Sequence, residues 1–171
     1  VGMLSVLQAE LIDKEFSFVG ANLRQLGAMS IDAPQQVAAY AERLKNLNPT
    51  IWQLYVADSK GVITFSTNPG SQQPISVRDY FTEHIQNEHT SFFISSPRQS
   101  IIQESALSIM MSYPIRDSED KFRGVVVATL KNEDLTAQLG SITKNKNISA
   151  VLTDQSGKLI WSSSMYEGLH K

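Results

Sequence analysis

Residues 106–131 read ALSIMMSYPIRDSEDKFRGVVVATLK, and the reading of this stretch decides the fold. Ala106 to Ile115 alternates in character from one residue to the next, and Gly124 to Lys131 is rich in β-branched residues; both patterns predict strands. Arg116 to Arg123 between them is an acidic turn. In the first strand one face carries Leu107, Ile109, Met111, Tyr113 and Ile115, and the other carries Ala106, Ser108, Met110 and Ser112. A face turned to water would usually hold Lys, Glu, Gln or Arg, so the Ser/Met/Ser face implies either a lightly filled pocket or a close helix contact. Phe93 and Ser95 alternate in the same way on a preceding strand, Ser91 to Ser96. Small residues with hydroxyls and aromatics are the usual lining of a small-molecule site.

Upstream, Ile51 to Ala57 and Val62 to Thr67 flank the turn Asp58-Ser-Lys-Gly61, which predicts a hairpin with Gly61 at positive φ. Asn68 to Ile75 is loop. Ser76 with Asp79 three residues on approximates a capping box, which predicts a helix from Val77. Further upstream Leu4, Leu7, Leu11, Ile12, Phe16, Val19, Leu23, Leu26 and Met29 recur at mostly three and four, an amphipathic helix longer than the usual globular one. Asp32 is the expected N-cap of a second helix, Ala33 to about Lys45, closed by Asn48-Pro49. Downstream, Asn132 or Asp134 is expected to cap a short helix to about Ile142. Adjacent strands with helices to one side predict an α+β fold around an antiparallel sheet.

The segment AVLTDQSGKLIWSS repeats the pattern of YVADSKGVITFSTN, with Asp154 and Gly157 answering Asp58 and Gly61. Any hairpin with an Asp-x-x-Gly turn has this form; the sharper reading is the start of a second module of the same kind. The expected organisation is a stalk helix over 1–31, an α+β module over 32–145 and a terminal hairpin over 146–171. A chain of 171 residues buries one good core but hardly two full domains. It starts at Val1 and runs straight into helical pattern, which reads as a piece of a longer protein.

With 15 Lys and Arg against 17 Asp and Glu and no run of like charge, the footprint of a nucleic-acid binder is missing. There is no cysteine, hence no disulfide and no thiolate chemistry. No stretch reaches the ~20 apolar residues of a membrane span, so contact with a membrane would come through segments outside this chain. Nucleophile elbow, P-loop, dinucleotide fingerprint and His-Glu-x-x-His are absent. His84 and His89 stand about 140° apart on a helix, which fails as a metal pair, and each is expected to be solvated or half-buried. The cluster Asp117, Glu119, Asp120 lacks the spacing of a calcium loop and reads as a solvated turn. No metal and no cofactor is expected, and the chain is read as non-enzymatic.

Helical geometry places Tyr80, His84, Val77, Phe81, Ile85 and Arg78 along one arc, with Arg78 at its rim. A guanidinium there keeps its charge and needs a partner, either a carboxylate or carbonyl of the protein or an anion from outside.

The segments LYVADSKGVITFST, ISVRDYF, FFISSP and SYPIRDSEDKFRGVVVATL, in this order, resemble the extracytoplasmic PAS-like sensor modules called PDC or Cache domains, most like those of bacterial diguanylate cyclases, histidine kinases and chemoreceptors. The resemblance covers about 48–142. It implies a five-stranded antiparallel sheet with a long helix on one side and a ligand pocket under the Arg78-Asp79-Tyr80-Phe81 helix on the other. Amino-acid-binding members carry Arg-x-Trp-Tyr on that helix and an Asp on the final strand; here the arginine and two aromatics are kept, while Thr129 stands where the Asp would be. The implied ligand is therefore a carboxylate or other small anion, lined by Arg78, Tyr80, Phe81, Phe93, Ser95, Met110, Ser112 and Thr129. The implied role is a periplasmic sensor domain of an inner-membrane protein, signalling through its terminal helices to a cytoplasmic cyclase or kinase. A second copy is a candidate partner through the N-terminal helix. The alternative is a ligand-free interaction or dimerisation module of the same fold.

Overall fold

The computed structural model describes the backbone of residues 2–68, 70, 73–96, 98–99, 107–131, 151–153, 157 and 159–162, and the side chains of 13–68, 70, 73–96, 108–131, 151, 153 and 157. The expected helix at 132–142 lies outside the described residues, as do the side chains of Leu4, Leu7, Leu11 and Ile12.

The long helix α1 runs over Gly2–Asp32. Phe16, Val19, Leu23 and Leu26 form its buried stripe and pack on the sheet, as their three-and-four spacing requires. Gly27 lets the helix come close: a Cβ there would stand 3.3 Å from Ile115 Cγ1. Asp32 is the last residue of this helix rather than the cap of the next. A 3-10 turn, Pro34–Gln36, intervenes, and α2 spans Val37–Leu47 with no side-chain cap. Proline fixes the φ of the first turn, and that turn leads into α2 in place of the Asp32 side chain. Asn48 closes α2, with extended backbone and its N–H bonded to Leu44 O.

The strands are β1 Ile51–Asp58, β2 Ile63–Ser66, β3 Phe93–Ile94, β4 Arg98–Gln99, β5 Leu107–Arg116 and β6 Phe122–Lys131. They form one antiparallel sheet of order β2-β1-β6-β5-β3, with β4 also on β5. β5 and β6 run one residue or two beyond their expected ends, so their turn is tighter than the acidic stretch suggested. Gly61 has φ +78 and Asp58 Oδ1 accepts from the N–H groups of Lys60 and Val62, as the Asp-x-x-Gly signature predicts.

The sheet has two unlike faces. Ile51, Leu54, Val56, Ile109, Met111, Ile115, Val126, Ala128 and Leu130 meet α1 and α2 in the larger core. Tyr55, Ala57, Met110, Val125 and Val127 face the other way and meet Ile75, Tyr80 and Phe81. That second layer includes α3, Asp79–Gln86.

The terminal hairpin pairs β7 Val151–Thr153 with β8 Leu159–Ser162. Its register matches that of β1 and β2 step for step: Leu152↔Trp161 and Thr153↔Leu159 correspond to Val56↔Phe65 and Ala57↔Ile63, with the irregularity at the same step in each. Gly157 has φ +83 at the position of Gly61. The resemblance of the two segments therefore extends from the Asp-x-x-Gly pattern to the pairing itself.

Candidate functional site

α3 lies over the second sheet face, and its start differs from expectation. Arg78, not Ser76, is the N-cap residue, with extended backbone (φ −84, ψ 142) and no side-chain cap bond. The segment before it is tied elsewhere: Ile75 N donates to Gly61 O and Arg78 N to Ile75 O. This tight turn moves the helix start to Asp79, and the arc shifts with it. Val77 is 84% exposed and Ile85 50% exposed, so neither is on the buried side; Tyr80, Phe81 and His84 are.

Arg78 is thus placed by its backbone from both sides, since its own carbonyl accepts from Phe81 N and Thr82 N. Its side chain is half-buried. Among the described residues its guanidinium forms no hydrogen bond or ion pair. Its charge is felt by Tyr55, whose phenol is pushed well above its usual pKa by burial and by the neighbouring Tyr80, with Arg78 pulling weakly the other way. The Tyr55 and Tyr80 rings meet edge to face at 6.5 Å.

Register brings several of the expected site residues onto one surface. Thr129 pairs with Met110 on one side and Gln53 on the other; one row along, Val127 pairs with Ser112 and Tyr55, and Ser112 with Phe93. Tyr80 covers this surface from α3. Phe81 packs instead edge to face on Phe122, at the opposite end of β6 from Thr129.

The hydroxyls divide into two kinds. Ser95 Oγ accepts from Met110 N (3.0 Å) and donates to Ser96 O (2.9 Å), so it stitches the sheet edge. Ser112 Oγ lies 2.8 Å from His84 Nε2, and His84 Nδ1 lies 3.1 Å from Thr90 O. A carbonyl can only accept, so Nδ1 carries the proton and Nε2 accepts from the Ser112 hydroxyl. His84 is completely buried, contrary to the expected solvated or half-buried side chain. Its 3.6-residue spacing from Tyr80 and Phe81 places it on the same face, and its polar partners come from the loop and from β5. Burial holds its pKa below the usual histidine value.

By contrast Thr129 Oγ1 makes no hydrogen bond among the described residues, and Ser108 Oγ is buried there with no partner. Gln53, Tyr55, Ser108 and His84 join the surface without having been singled out as site residues. Of these, Ser108 was legible in the Ser/Met/Ser alternation, and Gln53 shares the face of Tyr55 and Ala57 by the period of two along β1, in unbroken register with β6 from Gln53 to Asp58.

No helix among the described residues is long and apolar enough to cross a membrane. No curated protein matches the sequence. Solved structures do match in fold. The extracellular domain assigned to histidine kinase rpHK1S-Z16 aligns with TM-score 0.76 and 23% identity over 93% of this chain and 67% of that one. The sensory domain of Campylobacter jejuni chemoreceptor Tlp3 with isoleucine bound aligns with TM-score 0.65 and 17% identity, over 97% and 69%. The ligand-binding domain of Pseudomonas aeruginosa amino acid chemoreceptor PctC in complex with GABA aligns with TM-score 0.64 and 19% identity, over 93% and 71%. The chain thus spans about two thirds of the length of these domains. A family model described as Cache domain matches residues 5–169. With that match running over nearly the whole chain, the chain belongs to the Cache domain family.

Proposed function

We propose that this chain is the extracytoplasmic sensor part of a membrane signalling protein, non-catalytic in itself, which binds a small carboxylate between α3 and the sheet. The observation that carries the reading is Arg78: a half-buried guanidinium fixed through its backbone at the start of α3, beside buried aromatics, with no anion of the protein paired to it among the described residues. Such a charge is a receptor for an anion from outside. Tyr80 and Phe93 wall the site, and Thr129 faces it from β6. Two of the matching solved domains, one with isoleucine bound and one in complex with GABA, hold carboxylates. This chain has Thr129 where amino-acid-binding members carry an acid, which favours a carboxylate without an ammonium.

Periplasmic placement, a cytoplasmic cyclase or kinase as effector, and a dimer formed through α1 belong to the same proposal. Ligand affinity can drive a signal only through a difference between two arrangements of the helices, and α3 is the element that would close on the ligand. The repeated hairpin register supports a second unit of the same kind beginning near 146.

The test is a thermal-shift screen of short carboxylates followed by calorimetry, since a ligand that binds only the folded state raises the melting point. Arg78→Ala is expected to weaken the best binder by about tenfold to a hundredfold, the range for a hydrogen bond to a charged group. Unchanged affinity would remove Arg78 from the site. Absence of any carboxylate binder would favour the ligand-free interaction module, for which the exposed Val77 before α3 and Ile85 on it are the contact surface.

A further inference from the structure

We propose that the end of the ligand remote from Arg78 is an uncharged hydrogen-bonding group, which makes the ligand a short hydroxycarboxylate. The inference rests on the carboxylate reading of Arg78 and adds the chemistry of the other end.

Gln53, Thr129 and Ser108 are 2%, 3% and 1% exposed and lie on the sheet face under α3. Each keeps hydrogen-bonding capacity that the described residues do not use. Ser108 Oγ and Thr129 Oγ1 have no partner there. The Gln53 amide is oriented by Ser66: the Ser66 hydroxyl donates to Asn68 O, so it accepts from Gln53 Nε2 at 2.8 Å. That leaves Gln53 Oε1 as a free acceptor. Buried polar groups in native proteins are almost always bonded, and adjacent ones with spare capacity mark a place where another polar group sits.

All these groups are neutral, and no carboxylate, lysine or arginine shares the row Gln53, Thr129, Met110. In that row an ammonium would have no counter-charge and a second carboxylate no cation, the basic residues Arg98 and Lys131 pairing with Ser108 one row further on. Either charge would be buried in the row without an opposite charge. A ligand hydroxyl suits the row, because it donates to Gln53 Oε1 and accepts from a Thr129 or Ser108 hydroxyl. The spacing limits the size. Arg78 precedes Tyr80 by two residues at the start of α3, the Tyr80 ring meets Tyr55, Tyr55 pairs with Val127, and Thr129 is two positions further along β6. Two strand residues span about 6.7 Å, which a chain of about four carbons bridges.

The experiment is calorimetry with butyrate, 4-hydroxybutyrate, 4-aminobutyrate and succinate, which differ only in the far end. 4-Hydroxybutyrate is expected to bind about tenfold tighter than butyrate, the worth of satisfying buried polar groups, and tighter than the two charged-end acids. Thr129→Val is expected to remove most of that advantage, so that 4-hydroxybutyrate and butyrate bind alike. Thr129→Ser is expected to keep it, and Thr129→Asp to shift preference to 4-aminobutyrate. If butyrate binds as well as 4-hydroxybutyrate, or a charged-end acid binds best, the neutral-end inference is overturned while the carboxylate reading stands. If none of the acids binds, the carboxylate reading itself falls.

Discussion

Gly124→Ala is expected to cost at least about 4 kcal/mol, a large share of the stability of an ordinary domain. Gly124 sits in the central strand β6, opposite Asp58 of β1 and Ile115 of β5. Its φ is +147, a conformation that side chains rarely adopt, and a Cβ on it would stand 1.9 Å from Ala57 O. The obstacle is backbone on the neighbouring strand, not the end of a flexible side chain, so relief requires β1 and β6 to part at the end of their ladder beside the β5–β6 turn. Parting them exposes Val125 and Ala57, both fully buried, and loosens the sheet under α3. The measurement is soluble yield with urea unfolding followed by circular dichroism. A midpoint within error of the unsubstituted chain would show that the two strands can separate here at little cost.

Much of this arrangement was legible in the sequence, because alternation along a strand is local. The Ser108, Met110, Ser112 face and the Ile109, Met111, Ile115 face separated as their period of two requires. The stripe Phe16, Val19, Leu23, Leu26 needed only the helical period. The start of α3 was not legible. Ser76 and Asp79 have the spacing of a capping box, but Ile75 N is bonded to Gly61 O, and that contact across the chain converts the would-be first turn into a separate turn. Arg78 therefore reaches the rim of the site as the residue before the helix, with its backbone extended, and not as part of the helical arc.

The site was legible as a face and not as a set of contacts. Which residues share a row depends on register. Thr129 meets Gln53 on β1 and Met110 on β5, partners from distant strands that no local pattern announces. Ser95 and Ser112 have the composition of pocket hydroxyls, yet one binds the sheet edge and the other binds His84. Thr129 and Ser108 look no different in sequence and keep their capacity. His84 shows the same limit: its partner Ser112 lies 28 residues away, beyond any reading of helix spacing.

That pairing carries the second large effect. His84→Leu is expected to lower stability by about 2–4 kcal/mol, because it strands the buried Ser112 hydroxyl and the Thr90 carbonyl where the imidazole had joined them. It should also change the dependence on pH. Burial lowers the His84 pKa; the bond to Thr90 and the nearby Glu83 oppose that, and Arg116 adds to it. In the unfolded chain the imidazole takes a proton near pH 6.5, while in the folded chain it does so only at lower pH. Between those values the unfolded state holds the extra proton. This contribution to stability is therefore whole above about pH 6.5 and is lost as the pH falls through that window. Protonation would also turn Nε2 from acceptor to donor, so the Ser112 hydroxyl must turn away to receive it. Urea midpoints at about pH 7.5 and about pH 5.5 decide the matter. The unsubstituted chain should lose more stability between them than His84→Leu does. Equal losses would mean that His84 keeps its ordinary affinity for a proton, and an unchanged midpoint at about pH 7.5 would mean that its bonds to Ser112 and Thr90 add nothing to the hold of α3 on β5.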